Sequence, residues 1–206
     1  HLRELRKKTG GYFGSGESTG SVGVVTINMP RIAYLSANKD EFYARLNRMM
    51  DIAARSLKIK RGVITKLLEE GLYPYTRRYL GTFDNHFSTI GLIGMNEVGL
   101  NANWLRADMS DKRTQEFTKE VLNHMRNRLS DYQEQYGDLY NLEATPAEST
   151  AYRLAKHDRK RWPAIKTAGK PGDTPYYTNS SHLPVDYTTD IFDALDIQDD
   201  LQTLYT

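Results

Sequence analysis

One segment of the sequence has the pattern of an anion site. Residues 143–150 read Glu-Ala-Thr-Pro-Ala-Glu-Ser-Thr, where an apolar run ends and a proline precedes small and hydroxyl residues. If a helix starts here, the backbone N–H groups of its first turn, with Ser149 and Thr150, could hold a phosphate. The spacing also fits a capped helix with Pro146 in its first turn, Thr145 as N-cap and Glu148 completing a capping box. Spacing alone favours the capped helix.

Two further candidates are polar groups next to apolar runs. Residues 176–184 combine aromatic, hydroxyl, amide and imidazole groups, which suits recognition of a polar ligand. They equally fit a surface loop in which Asn179 and Ser180 bond the loop's own backbone. Asn28 ends a β-branched run, and ligands of α/β folds collect at the carboxyl ends of strands. A turn closed by the asparagine side chain is the commoner role for a lone asparagine in this position.

Several kinds of site can be excluded. Residues 14–20 superficially resemble a phosphate loop, but they precede a strand and lack the Gly-Lys-Ser/Thr ending, so we interpret them as a flexible connection. The five histidines have no metal-ligand spacing, His124 is expected on the solvated side of a helix, and there is no cysteine. We therefore predict no metal site, no disulfide and no thiol nucleophile within these residues.

The composition is that of an ordinary globular protein. Of 206 residues, 39% are hydrophobic and 26% charged, the net charge is +2, and acids and bases are interspersed. The sequence has no basic stripe of the kind that nucleic-acid-binding proteins carry. No apolar run approaches the roughly 20 residues of a membrane span. Without a signal peptide, the expected location is the cytoplasm, away from membranes. Because residue 1 is a histidine, we expect an internal part of a longer protein.

Hydrophobic periodicity places the candidates on an α/β framework. Buried strands are predicted at 22–27, 87–93 and 139–144. Helices are predicted at about 39–60, 61–70, 110–136, 147–156 and 190–204. The apolar faces of the two longest are expected to comprise Phe42, Leu46, Met49, Ala53 and Leu57, and Phe117, Val121, Met125, Leu129 and Tyr132. Alternating strands and helices, with strands apolar on both faces, are typical of a parallel sheet or barrel covered by helices.

Four collinear blocks carry a family resemblance. Residues 20–32, 86–97, 139–155 and 175–185 resemble the large catalytic subunit of anaerobic (class III, glycyl-radical) ribonucleoside-triphosphate reductases. The resemblance implies an α/β fold that forms part of a ten-stranded α/β barrel of the glycyl-radical enzyme and ribonucleotide reductase type. Residues 1–206 would be a partial catalytic barrel domain. The N-terminal allosteric region, active-site cysteines and glycyl-radical C-terminus would lie outside it.

The resemblance also implies an activity. Such an enzyme reduces ribonucleoside triphosphates to deoxyribonucleoside triphosphates under anaerobic conditions, which supplies DNA replication. A glycyl radical, installed by a radical-SAM activase, generates a thiyl radical on a cysteine, and formate is the expected reductant. Structural zinc in the C-terminal region, nucleotide effectors such as ATP and a homodimer are expected of the parent protein. The isolated chain should be inactive, because it has no cysteine to carry the radical.

The resemblance assigns roles to individual residues. It implies that Asn28 hydrogen-bonds substrate or formate, and it reverses the preference for a merely capped helix at residues 143–150. The expected phosphate-binding residues are Ala147, Glu148, Ser149 and Thr150. The residues expected near the active site are Asn179, Ser180, Ser181 and His182.

Two other functions fit parts of the pattern. A formate-lyase-like glycyl-radical acyltransferase would share the barrel, but it should lack the phosphate-type segment 145–150. A non-catalytic nucleotide-binding paralogue would explain the missing cysteines, and an upstream cysteine pair in the gene would refute it.

Overall fold

The computed structural model describes residues 19–144, 146–170, 172–184, 187–188 and 190–205. Most of the glycine-rich segment 14–20 and the expected cap Thr145 lie outside them. Within the described ranges the chain forms β1 (Gly20–Asn28), α1 (Met29–Tyr34), α2 (Lys39–Glu69), α3 (Pro74–Tyr79), β2 (His86–Ile93), α4 (Met95–Asn101), α5 (Lys112–Tyr136), β3 (Tyr140–Glu143), α6 (Glu148–Arg161) and α7 (Ile191–Gln202).

The three strands form one parallel sheet in the order β1-β2-β3. β2 is central, and all eight of its residues are buried, as expected of a strand covered on both faces. The register pairs Thr26 with Gly91 and Gly91 with Glu143, so the carboxyl ends of the strands lie at one edge. The predicted parallel α/β fold is confirmed, and the sheet is consistent with part of a barrel.

The two faces of the sheet have different partners. On one face, Ile90, Leu92 and Leu142 join the main hydrophobic core with the apolar sides of α2 and α5. On the other face, Ile93 at the end of β2 packs with Ala151 and Ala155 of α6 and with Tyr177. Through this packing, helix α6 lies against the carboxyl end of β2.

Helix α2 is one continuous helix of 31 residues, so the predicted division near residue 60 is wrong. Arg61, at the predicted break, is buried and donates to the carbonyl oxygens of Phe83 and His86. These bonds anchor the middle of the helix and offset the roughly 1 kcal/mol cost of Gly62 in a helix interior. The predicted stop is confirmed, since Gly71 follows the C-cap with a φ of 84°.

The predicted apolar faces are nearly correct. On α2, Phe42, Leu46, Ala53 and Leu57 are buried, but Met49 is 43% exposed and Met50 is fully buried in its place. An α-helix turns 100° per residue, so the residues of one face recur every three or four positions. From Leu46 the buried face continues at positions 50, 53 and 57, and it therefore includes Met50 rather than Met49. On α5 all five expected residues are buried, Asp111 caps the start, and Gly137 ends the helix with a φ of 73°.

Other differences concern helix ends and short helices. The helices α1, α3 and α4 were not expected from the sequence, because six or seven residues give too little periodicity. Helix α6 begins one residue later than predicted and continues five residues further, to Arg161. Helix α7 was predicted at 190–204 and spans Ile191–Gln202, with Asp190 as its cap. Among the described helices, none is both long and apolar enough to cross a membrane.

Candidate functional site

Asn28 ends β1 and at the same time caps α1. Its Oδ1 accepts the backbone N–H of Arg31 at 3.1 Å, and its Nδ2 donates to Oδ2 of Asp158 at 2.8 Å. The side-chain to backbone hydrogen bond expected of a lone asparagine is therefore present, but it caps a short helix instead of closing a simple turn. An amide has two N–H donors and two acceptor lone pairs, so one of each remains for another partner.

Asp158 is a residue that the sequence reasoning missed. It lies on α6, and its side chain is only 1% exposed. Besides the bond from Asn28, Oδ2 accepts the hydroxyl of Tyr177 at 2.9 Å, and Oδ1 accepts Nε of Arg31 at 2.7 Å. A signal was available: Asp158 follows Ala151 and Ala155 at helical spacing on the buried face of a helix whose end is otherwise basic.

Glu97 is a second buried acid that was missed, on α4 just beyond the end of β2. It has no exposed surface, and it accepts the backbone N–H of Thr178 at 2.9 Å and the Thr178 hydroxyl at 2.8 Å. Burial raises the pKa of Glu97, although donors from Asn96 and Thr178 act in the opposite direction. Through these hydrogen bonds, the Glu97 side chain holds the segment 176–182 at the edge of the sheet where the strands have their carboxyl ends.

The backbone of that segment is also bonded to the turn after β2. Gly94 N–H donates to Thr178 O at 2.7 Å, and Met95 N–H donates to Ser180 O at 3.0 Å. Gly94 has a φ of 78°, and a Cβ there would lie 2.3 Å from Pro30 Cγ. Only glycine fits this crowded, left-handed position, which lets the chain turn directly from the sheet into α4.

The residues expected near the active site divide into two groups. Asn179 forms an antiparallel bridge with Ile93, and its Oδ1 accepts the backbone N–H of Ala147 at 3.4 Å. His182 is exposed. Ser180 and Ser181 are fully buried, and the Ser181 hydroxyl is hydrogen-bonded to that of Tyr205, so these two residues fix the segment from inside.

The first turn of α6 borders an open cleft. The N-cap position is occupied by Ala147, whose side chain makes no capping bond, and Glu148 is the first residue of the helix rather than its third. Pro146 precedes the helix. The residues that line the cleft are Val24, Thr26, Pro146, Ala147, Glu148, Ser149 and Thr150. Four of these are the predicted phosphate-binding residues, and their N–H groups include those that a helix start leaves without intrahelical partners.

A second cleft lies on the other side of Glu148. It is lined by residues that include Asn96, Asp108, Tyr177, Asn179 and His182. Glu148 at the start of α6 lines both openings, one beside Val24 and Thr26 of β1 and one against the segment 176–184. Positions from three distant parts of the chain are brought together here, because Asn28 and Tyr177 both bond Asp158, and Asn179 bonds Ala147.

The described residues contain no group of three or more side chains arranged to hold a metal ion. His124, expected to be solvated, is instead half-buried between α2 and α5, where its Nε2 is 2.6 Å from Asn47 Oδ1. Burial lowers the pKa of His124, with a smaller effect from Arg128, so its role is packing between two helices.

Comparison with known proteins assigns the chain to a family. The family model described as anaerobic ribonucleoside-triphosphate reductase matches residues 2–206. Proteins of that name from Haemophilus influenzae and bacteriophage T4 are 30% and 27% identical over 86% and 85% of this chain. The chain spans only 27% and 30% of their respective lengths.

Solved structures show the same fold. The anaerobic ribonucleotide reductase of Thermotoga maritima with glycerol in the active site superposes with a TM-score of 0.76 at 23% identity, over 92% of this chain and 31% of that one. The same enzyme with dATP bound in the specificity site gives 0.76 at 24% identity, over 90% and 31%. With the family match across nearly every residue, the chain belongs to the anaerobic ribonucleoside-triphosphate reductase family.

Proposed function

We propose that the chain is part of the catalytic barrel of an anaerobic ribonucleoside-triphosphate reductase and contributes its substrate phosphate site. The parent protein would reduce ribonucleoside triphosphates to deoxyribonucleoside triphosphates. The observation that carries the proposal is that Asn28 and Asn179 both lie beside Ile93 at the carboxyl edge of one parallel sheet, with Asn179 bonded to Ala147, within a family match over residues 2–206. That edge is where α/β folds bind ligands.

The triphosphate would lie in the cleft between β1 and the start of α6. Its oxygens would accept backbone N–H groups of Glu148, Ser149 and Thr150, with the helix dipole adding favourable potential. The hydroxyl groups of Ser149 and Thr150 are further donors. The Glu148 side chain is exposed, so its carboxylate can point towards solvent and away from the anion.

Asn28 would contact the ribose or formate with the amide groups that remain free. One N–H and one Oδ1 lone pair are already bonded to Asp158 and to Arg31 N–H. The other N–H could donate to a ribose hydroxyl or a formate oxygen, and the other lone pair could accept a hydroxyl proton. Asn179 and His182 would form the opposite side of the same site, with Ser180 and Ser181 buried behind them.

The radical chemistry would come from other parts of the parent protein. This sequence has no cysteine, so it supplies neither a thiyl-radical residue nor cysteine ligands for zinc. For the parent protein we also propose a glycyl radical, a radical-SAM activase, nucleotide effectors, structural zinc and formate. The same proposal includes a homodimer, the full ten-stranded barrel and a cytoplasmic location. The family match does not favour an acyltransferase or a non-catalytic paralogue.

The proposal is tested by assaying the full-length, activated protein without oxygen, with CTP and formate as substrates and dCTP as the product measured. We expect dCTP to form, and Asn28→Ala to lower kcat/KM by at least about tenfold. Asn123→Ala is the matched control, because this exposed asparagine lies on α5 and its side chain donates to Lys119 O of the same helix. Absence of dCTP with the wild-type protein, or equal rates for the two variants, would contradict the proposal.

A further inference from the structure

Asp158 joins three separate parts of the chain through one buried carboxylate. Oδ2 lies 2.8 Å from Asn28 Nδ2 and 2.9 Å from the Tyr177 hydroxyl. Oδ1 lies 2.7 Å from Arg31 Nε and 2.6 Å from its terminal nitrogen. The carboxylate therefore connects α6 to the end of β1, to α1 and to the segment 176–182.

The three side chains that contact the Asp158 carboxylate all donate hydrogen bonds to it. Burial, followed by the nearby Asp158 charge, raises the pKa of Tyr177, so its hydroxyl keeps the proton that it donates. Arg31 is always charged, and its side chain is 37% exposed. The charge of the buried carboxylate is thus balanced by an arginine that keeps part of its hydration, and both carboxylate oxygens have partners.

This arrangement permits one orientation of the Asn28 amide. A carboxylate only accepts hydrogen bonds, so the side of the amide that faces Asp158 must be the NH₂ group. The other side, Oδ1, meets the backbone N–H of Arg31, which can only donate. A half-turn of the amide would place oxygen against carboxylate and NH₂ against N–H, and both contacts would become repulsive.

We infer that Asp158 is a positioning residue that fixes the Asn28 amide and so determines which of its polar atoms face the substrate. The inference rests on the proposed function, since it concerns the group that Asn28 presents to ribose or formate. Asp158 itself acts only through Asn28 and touches no reacting atom.

A double-mutant cycle in the full-length, activated reductase tests this role. The variants are Asn28→Ala, Asp158→Asn and the double variant, assayed for kcat with CTP and for the Kd of CTP, which stays measurable in an inactive protein. Asparagine at position 158 has nearly the shape of aspartate, but its NH₂ group can face the Asn28 amide. The backbone N–H of Arg31 is then the remaining contact that favours the present orientation of that amide.

We expect Asp158→Asn to lower kcat or weaken CTP binding by at least about tenfold in the wild-type background and by less than about twofold in the Asn28→Ala background. Asp138→Asn is the matched control. This variant also removes a charge that is shielded from solvent and paired with Lys58 at 2.9 Å. Asp138 precedes β3, so it lies at the opposite edge of the sheet from Asn28. Its effect on both quantities should stay within about threefold and be the same in both backgrounds.

Different results overturn different claims. If Asn28→Ala leaves both quantities unchanged, the proposed role of Asn28 fails, and the inference fails with it. If Asn28→Ala is costly but Asp158→Asn is equally costly in both backgrounds, Asp158 is merely structural and the proposed function stands. Should Asp158→Asn not fold, Asp158→Glu carries the same test, because it keeps the charge but moves the carboxylate relative to the amide.

Discussion

At the scale of single residues, two fully buried acids organise the carboxyl edge of the sheet. Asp158 has an arginine to balance its charge, whereas Glu97 is surrounded by neutral donors from Asn96 and Thr178. Three hydrogen bonds to the carboxyl group do not fully replace its hydration, so burial is the larger influence and the pKa of Glu97 is raised. Its protonated form is therefore favoured by folding.

The raised pKa of Glu97 predicts a pH-dependent stability difference. Between its ordinary value of 4.5 and the higher folded value, the folded protein holds a proton that the unfolded chain has lost. The stabilising contribution of Glu97 to the free energy of unfolding is therefore fully present at low pH. It declines as the pH rises through the folded pKa, by up to about 1.4 kcal/mol per pH unit. The measurement is the free energy of denaturant unfolding of wild type and Glu97→Gln from pH 4 upwards.

The difference in the free energy of unfolding between the two proteins reports the titration of Glu97 alone, because the other carboxyl groups titrate in both. We expect the wild type to lose stability relative to Glu97→Gln as the pH rises. A difference that is independent of pH, or that grows with pH, would show that Glu97 titrates at or below its ordinary value in the folded protein.

Sequence could identify Asn28 as a candidate because it stands where an apolar run ends, and it could identify Ala147 only through the family resemblance of residues 139–155. It could not identify the partners of these residues. Asp158 is 130 positions from Asn28, and Glu97 is 81 positions from Thr178, so both contacts depend on the tertiary fold. The fully buried state of Ser181 was missed for the same reason, since its hydroxyl partner Tyr205 belongs to the chain after α7.

At the scale of secondary-structure elements, periodicity succeeded where elements are long and capped. Helix α5 was predicted with its buried face and both ends because Asp111 and Gly137 mark them. Helix α4 has only seven residues and starts at a left-handed glycine without a side-chain cap, so no local pattern indicates it. The division of α2 was predicted wrongly because the bonds of Arg61 to a distant loop are not visible in the sequence.

Two glycines should respond in opposite ways to alanine. Gly62 is exposed in the middle of α2, and a Cβ there meets nothing within 4 Å, so Gly62→Ala should stabilise the protein by about 0.5–1 kcal/mol. Gly94→Ala should destabilise it, because its φ is 78° and the new Cβ would overlap Pro30. Denaturant unfolding of both variants measures the effects. A loss of stability in Gly62→Ala would contradict the continuous helix.

At the scale of the whole molecule, the described sheet has β1 and β3 as its outer strands. Each has only one neighbour among the described strands, and several large apolar side chains on the helices are exposed, including Ile59, Val63 and Phe192. Unpaired strand edges and exposed apolar patches promote association. We propose that other parts of the parent barrel cover these surfaces.

The isolated 206-residue chain should therefore self-associate. Sedimentation velocity should show oligomers or aggregates whose share grows with protein concentration, and heating should give a broad transition. A monomeric chain with one cooperative melting transition would contradict this expectation, and would mean that the three strands and their helices form a complete folding unit.

The most direct test of the central proposal is a charge placed at the start of α6 in the full-length protein. Ser149→Asp adds a carboxylate to the first turn, whereas Ser149→Asn has nearly the same shape and no charge. Because a phosphate there would be repelled, we predict that Ser149→Asp raises the Kd of CTP at least about tenfold relative to Ser149→Asn. Equal CTP affinities for the two variants would show that the triphosphate does not bind at this helix.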